Sequence, residues 1–224
     1  MVRSNPVPKP SSTVAPTPTI VRDPWSMQNR SRATCANWIP PGSNSKCMPL
    51  ATARCALDGY ETVIRQNGNN RLRHHIDHCS LIHPDDFQRF VDLAVTCTIW
   101  PPLNAPIDYN VNGIKPVLKP ETWERMYANR ERWDAGIRLV NHTDAPAATL
   151  WPWFGMEASI TRGFPGKPEK GKTGPQHALT LEEVIQAYTI NAAWSLRLEE
   201  MTGSIETGKV GGYDCPQPQS VRDP

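Results

Sequence analysis

No run of about eighteen or more apolar residues interrupts this chain of 224 residues, so nothing in it has the length and composition of a membrane-spanning helix. The opening stretch MVRSNPVPKPSSTVAPTPT also lacks the apolar core of a secretory signal, which makes the cytoplasm the default compartment. An excess of charge of one sign is missing too. The balance of 24 Lys+Arg against 22 Asp+Glu leaves a formal charge of +2, too little for the broad basic surface that phosphate backbones require. Neither nucleic acid nor a membrane is an expected partner. The six cysteines, at 35, 47, 55, 79, 97 and 215, form no C-x-x-C pair. That excludes a zinc-finger framework and a dense disulfide scaffold, and leaves them as free thiols. No internal repeat of fixed period is visible.

Proline, by contrast, is abundant and unevenly placed. Residues 1–50 hold nine of the 23 prolines, with Ser, Thr and Asn between them and no apolar period of two or 3.6. This segment is expected to be disordered, because it has too little apolar surface to offset its ordering entropy. The pattern changes at Ala53, where Ala53, Leu57, Tyr60 and Ile64 share one helical face and Asn67-Gly68 supply a stop. Arg73 to Cys79 has strand length. His83-Pro84-Asp85-Asp86 then opens a helix with proline in the first turn and acids at the positive end of the dipole, with Phe87, Phe90 and Val91 as its buried stripe. Val95 to Trp100 is β-branched and aromatic and reads as a second strand, followed by a proline-rich loop to Pro120. A helix over Glu121 to Ala135 leads to a third strand, Ile137 to Asn141. Phe164 to Gln176 is expected to be a mobile surface loop, and Thr180 with Glu183 forms a capping box for a helix through Leu196. The tail 210–224 shows no periodicity. Strand and helix alternate over 51–209, which predicts an α/β fold with a parallel sheet covered by helices.

In such sheets functional groups gather where strands end. Two predicted strand ends carry residues of metal-ligand type: His78 in Ile76-Asp77-His78-Cys79, and Asp144 in His142-Thr143-Asp144-Ala145-Pro146. An imidazole and a carboxylate suit zinc or a similar divalent ion, and the carboxylate can act as a base toward water. A structural histidine and a turn-forming aspartate account for the same residues. Trp100, Trp151 and Trp153 lie just beyond strand ends, where they are candidates to line an apolar substrate pocket or simply to pack a loop. His83, His142 and His177 read as a helix-entry, a turn and a surface residue.

The block Arg73-His74-His75-Ile76-Asp77-His78-Cys79-Ser80-Leu81-Ile82-His83-Pro84-Asp85-Asp86 resembles the sixth-strand signature R-H-R-I-E-H-A-Q-L-I-H-P-x-D of amidohydrolase family 3, the group that includes N-substituted formamide deformylase. Asp134-Ala135-Gly136-Ile137-Arg138 with Thr143-Asp144-Ala145-Pro146 is similar to that family's eighth-strand region. Ala178 to Glu183, Tyr188 to Ala193 and Gly203 to Lys209 are similar to its following helix and its return toward a small β-sandwich. The resemblance implies part of a TIM barrel, the last strands and helices only, since a whole one needs roughly 250 residues. It also implies a metal-dependent hydrolase of carbon–nitrogen bonds outside peptides, with an amide or formamide as its small-molecule substrate. In that scheme a divalent metal, zinc for preference, activates water, His78 is a ligand, and Asp144 is both ligand and proton shuttle. The family's fifth-strand histidine is replaced by the run Lys46-Cys47-Met48, and its first-strand H-x-H pair is absent from this sequence. Neither His74 nor His75 substitutes for that pair, because adjacent strand residues face opposite ways. The resemblance therefore implies an incomplete metal site, a truncated and weakly active or inactive hydrolase, and an open sheet edge that a second copy of the chain could cover. The alternative is a non-catalytic half-barrel that binds a partner.

Overall fold

The computed structural model describes residues 46–47, 53–68, 72–146 and 150–210. The segment expected to be disordered lies outside these as far as residue 45, and so does the tail beyond Val210. Four parallel strands form one sheet in the order β1 (Lys46–Cys47), β2 (His75–Ile76), β3 (Thr96–Ile99) and β4 (Leu139–Asn141). Parallel neighbours need a crossover between them. Helix α1 (Ala53–Asn67) joins β1 to β2, α2 (Phe87–Asp92) joins β2 to β3, and α3 (Pro120–Trp123) with α4 (Asn129–Asp134) lies between β3 and β4. Three further helices follow the last strand: α5 (Pro152–Thr161), α6 (Leu181–Tyr188) and α7 (Ile190–Leu196). Among the described residues no helix is long and apolar enough to cross a membrane.

The two-residue period of a strand sorts the sheet into two faces. Ile76, Cys97, Ile99 and Leu139 enter the main core with Leu57 and Tyr60 of α1, Phe87 and Phe90 of α2, and Val184 of α6. Burying each large apolar side chain contributes roughly 1.5–3 kcal/mol. His74, one residue before β2, stacks on Tyr60 with ring centroids 4.3 Å apart, and the Tyr60 hydroxyl donates to the His75 carbonyl at 2.7 Å. His75 instead meets Ser195 of α7, its ring nitrogens 3.2 and 3.3 Å from the hydroxyl. The two histidines thus serve opposite faces, as their adjacency requires.

Helix entry behaves as the sequence predicts. His83 caps a 3₁₀ turn, Pro84–Asp86, by accepting from the Asp85 N–H, and the turn runs into α2. Asp86 is buried, and there it accepts from Arg54 at 2.8 Å and from Arg89 at 2.9 Å. Arg89 also donates to Glu61 and Asp58, both at 2.7 Å. Its guanidinium is held charged by these hydrogen bonds, which outweigh the cost of its burial. The network fixes α2 to α1. At the entry ends of β2 and β4, Arg73 and Arg138 lie over the Trp194 ring at 4.2 and 4.0 Å, and Arg73 is paired with Glu199.

Several elements depart from expectation for identifiable reasons. The helix expected over Glu121 to Ala135 is broken into α3 and α4, with Tyr127 in the left-handed region at φ 53°. The Tyr127 N–H donates to the Ser80 carbonyl at 2.9 Å, and its hydroxyl accepts from Ser80 at 3.0 Å. These tertiary bonds outweigh helical continuity. Arg162 is fully buried and anchors the same turn, donating to the Met126 and Tyr127 carbonyls, to Asn104 and to the Thr173 carbonyl. Burial, with the Arg132 charge adding to it, lowers the Arg162 guanidinium to about 9.

The capping box of Thr180 and Glu183 is present. The helix it starts breaks at Thr189, whose hydroxyl turns back to the Ile185 carbonyl at 2.7 Å while Asn191 reaches the Leu139 carbonyl at 3.0 Å. Val91, expected in the buried stripe, is 39% exposed. His177, expected at the surface, is buried, with Nε2 2.9 Å from the Glu124 carbonyl. Helix α5 was not foreseen. Its sequence PWFGMEASIT has no clean polar face, so periodicity does not reveal it, and Pro152 in the first turn is the signal that does. The proline-rich loop after β3 is a series of short helical turns, including a π-helical one at Tyr109–Ile114.

Candidate metal centre at the strand ends

Beyond Ile76 the chain leaves β2 through Asp77, and His78 and Cys79 follow at φ 62° and 36°. Their left-handed conformation is uncommon for non-glycine residues and concentrates at functional sites. The Cys79 N–H donates to the Asp77 carbonyl at 2.8 Å, so the turn is tight. Two strands away, β4 ends at Asn141, and Asp144 also sits in the left-handed region at φ 54°, immediately before a cis Ala145-Pro146 bond. These two turns bring His78 Nε2 to 4.0 Å from Asp144 Oδ2, with side-chain exposures of 15% and 38%.

Aromatic rings hold His78 in place. Trp100, which follows β3, meets it edge-on at 6.2 Å, and His142 meets it edge-on at 5.2 Å. His142 reads in the sequence as a turn residue. The structure places it at the candidate site, on the strand exit that carries Asp144 two residues later. Asp77 accepts a short hydrogen bond from Thr98 of β3, so this second carboxylate is tied to the sheet. Trp151 stands half-exposed ahead of α5, and Trp153 is partly buried within that helix. Of the three tryptophans, Trp100 is the one in ring contact with His78 among the described residues. Cys47, the residue nearest the family's fifth-strand histidine, lies in β1 in register with Ile76.

An imidazole nitrogen and a carboxylate oxygen suit a divalent ion, whose bonds of about 2.0–2.2 Å would set two such donors about 3–3.5 Å apart. The observed 4.0 Å needs only a small closure, and the partly exposed Asp144 has room to make it. The pair fits two coordination positions. Among the described residues no group of three His, Cys, Asp or Glu side chains is arranged to hold a metal.

A parallel sheet wrapped by helices, with a ligand-type histidine and aspartate meeting beyond its strand ends, places the chain in the class of α/β folds with a strand-end site. The chain belongs to the amidohydrolase family, whose model matches residues 47–212. It is 29% identical over 160 residues to N-substituted formamide deformylase of Arthrobacter pascens, and 25% identical over 161 residues to the protein LONG AFTER FAR-RED 3 of Arabidopsis thaliana. Those alignments cover 68% and 70% of this chain but only 27% and 26% of the relatives, so the chain spans about a quarter of their length. Among solved structures it is similar to uncharacterized metal-dependent hydrolases from Pyrococcus furiosus (TM-score 0.58, 21% identity) and Pyrococcus horikoshii OT3 (TM-score 0.57, 22% identity). Each comparison covers 75% of this chain and 32% of the other, and it establishes a shared fold.

Proposed function

We propose that this chain supplies the His78 and Asp144 part of the metal site of a hydrolase acting on carbon–nitrogen bonds outside peptides, and that its sheet is the closing section of a TIM barrel. The observation that carries the reading is the approach of His78 Nε2 to Asp144 Oδ2 at 4.0 Å, from two left-handed turns on strands that are not neighbours. Family membership over residues 47–212 supports it independently. His78 and Asp144 would hold the divalent ion, with zinc the best match to the donor set. When bound, the ion polarises a carbonyl and makes water a usable nucleophile near neutral pH.

The chain's own residues do the rest. Asp144, the more exposed of the pair, takes a proton from water on one carboxylate oxygen and returns it to the departing nitrogen. Trp100, edge-on to the His78 ring, would help to orient it. An N-formyl or N-acyl amine is the substrate class, with Trp151 and Trp153 at the approach. The test is to express the chain, measure bound zinc, and assay a panel of N-formyl and N-acyl amines. Bound zinc with weak turnover that Asp144→Asn abolishes is the expected result, and turnover untouched by that substitution would sink the assignment.

A second reading is favoured by one observation: the described residues provide two metal ligands and not three. In it the chain is a non-catalytic half-barrel that binds a partner, and it holds no zinc and turns over no substrate in the same assays.

A further inference from the structure

Arg138 stands one residue ahead of β4, where its carbonyl accepts from the Cys97 N–H of β3 at 3.0 Å, so the sheet fixes its backbone. Its guanidinium lies over the Trp194 ring at 4.0 Å. Stacking uses the face of a guanidinium and leaves the donors along its edge. One of these, Nη1, donates to the Asn191 side chain at 3.0 Å. Among the described residues no carboxylate forms an ion pair with Arg138, and the acids on neighbouring segments are engaged elsewhere: both Glu199 oxygens accept from Arg73, and Asp134 and Glu183 bind Arg130. Burial first, and the Arg73 charge second, lower the Arg138 guanidinium from its ordinary value, with Glu199 pulling the other way. The cation is held in place, partly desolvated and short of a counter-charge.

Two cavities adjoin this cation and share Gly136 and Arg138 in their walls. One, of about 200 Å³, is otherwise apolar, with Phe90 and Val95 as its buried floor and Val91, Ala94 and Trp194 around them. The other, of about 240 Å³, is bordered by Gln186 and Asn191, which carry side-chain amides. Clefts for drug-sized ligands start at about 300 Å³, so the apolar cavity takes something smaller, and a nucleotide does not fit it. We propose that Arg138 anchors a binding site for a small monocarboxylate with a compact apolar body, an aromatic or branched aliphatic acid. The carboxylate accepts from two edge N–H groups of Arg138 in a charge-assisted pair, and the apolar body packs against Phe90, Val91 and Val95. Phosphate would meet the charge and leave the apolar cavity empty. A neutral amide of the same shape would fill the cavity and leave the cation unpaired. The site lies at the strand entries, away from the exits that carry His78 and Asp144, so it stands apart from the metal reading.

The test titrates the full chain, with no metal added, with sodium benzoate and follows its amide and arginine Nε–H resonances by nitrogen–proton NMR. Saturable shifts are expected at the Val95, Gly136 and Arg138 amides and at the Arg138 Nε–H. Benzamide and inorganic phosphate should each bind there at least about tenfold more weakly, the scale set by one hydrogen bond to a charged group. Arg138→Gln should weaken benzoate by about tenfold or more on the same scale, and Arg138→Lys, which keeps the charge and loses the planar fork, should recover part of it. Should loss of the contact with Trp194 unfold Arg138→Gln, Val91→Phe fills the apolar cavity, leaves Arg138 in place, and should equally weaken benzoate. The proposal is overturned by the absence of saturable shifts at these residues, by benzamide or phosphate binding as tightly as benzoate, or by benzoate binding unchanged in the variants. Zinc binding at His78 and Asp144, present or absent, alters none of these outcomes.

Discussion

His74 is wholly buried against Tyr60, and among the described residues neither of its ring nitrogens has a hydrogen-bond partner. Burial first, and the neighbouring His75 second, lower its pKa from the ordinary imidazole value of about 6.5. Burial also lowers His177, against the opposing pull of its bond to Glu124. Between the ordinary and the lowered value the unfolded chain takes up a proton that the folded chain refuses. Stability is therefore full above about pH 6.5 and falls as the pH drops toward the folded-state value. His74→Phe keeps a ring on Tyr60 and removes the titration. Its urea midpoint should lose less than that of the parent between pH 7 and pH 5, and parallel curves for the two proteins would refute this account.

At the scale of elements, Asp86 shows how a motif residue earns its place through structure. It sits in the His83-Pro84-Asp85-Asp86 run, and its carboxylate binds Arg54 and Arg89. Asp86→Ala strands two partly buried cations. Removing one partner of a buried pair costs roughly 3–5 kcal/mol, and the partial exposure of both arginines reduces this to about 2–3 kcal/mol. Chemical denaturation measures it, and a loss under about 0.5 kcal/mol would mean that water replaces the carboxylate without penalty. Whereas His78 and Asp144 were singled out by the resemblance of the motifs around them, helices α1 and α2 and the capping box were legible because each is written in local spacing. The position of His142 was not, because its contact with His78 depends on β4 lying two strands from β2. The breaks at Tyr127 and Thr189 were hidden for the same reason, since their competing bonds come from Ser80 and β4. His177 was misplaced because its burial depends on Glu124, a residue 53 positions away.

For the whole molecule, strand position predicts local stability. Strand β3 is paired on both sides, by β2 and β4, whereas β4 has one strand neighbour among the described residues. Amide exchange should be slowest in β3, with the Leu139 and Asn141 amides on the outer edge of β4 exchanging earlier. Equal protection of the two strands, with exchange of β4 accelerating on dilution, would instead reveal a second copy over that edge. The remaining stability device lies at the opposite ends of the strands from His78 and Asp144. There Trp194, between Arg73 and Arg138, ties the entries of β2 and β4 to the last helix, and Glu199 holds Arg73 in place. This separation has an evolutionary consequence. Substitutions at the His78 and Asp144 end leave the clamp at the other untouched, so a lineage can change those positions freely and still inherit the scaffold.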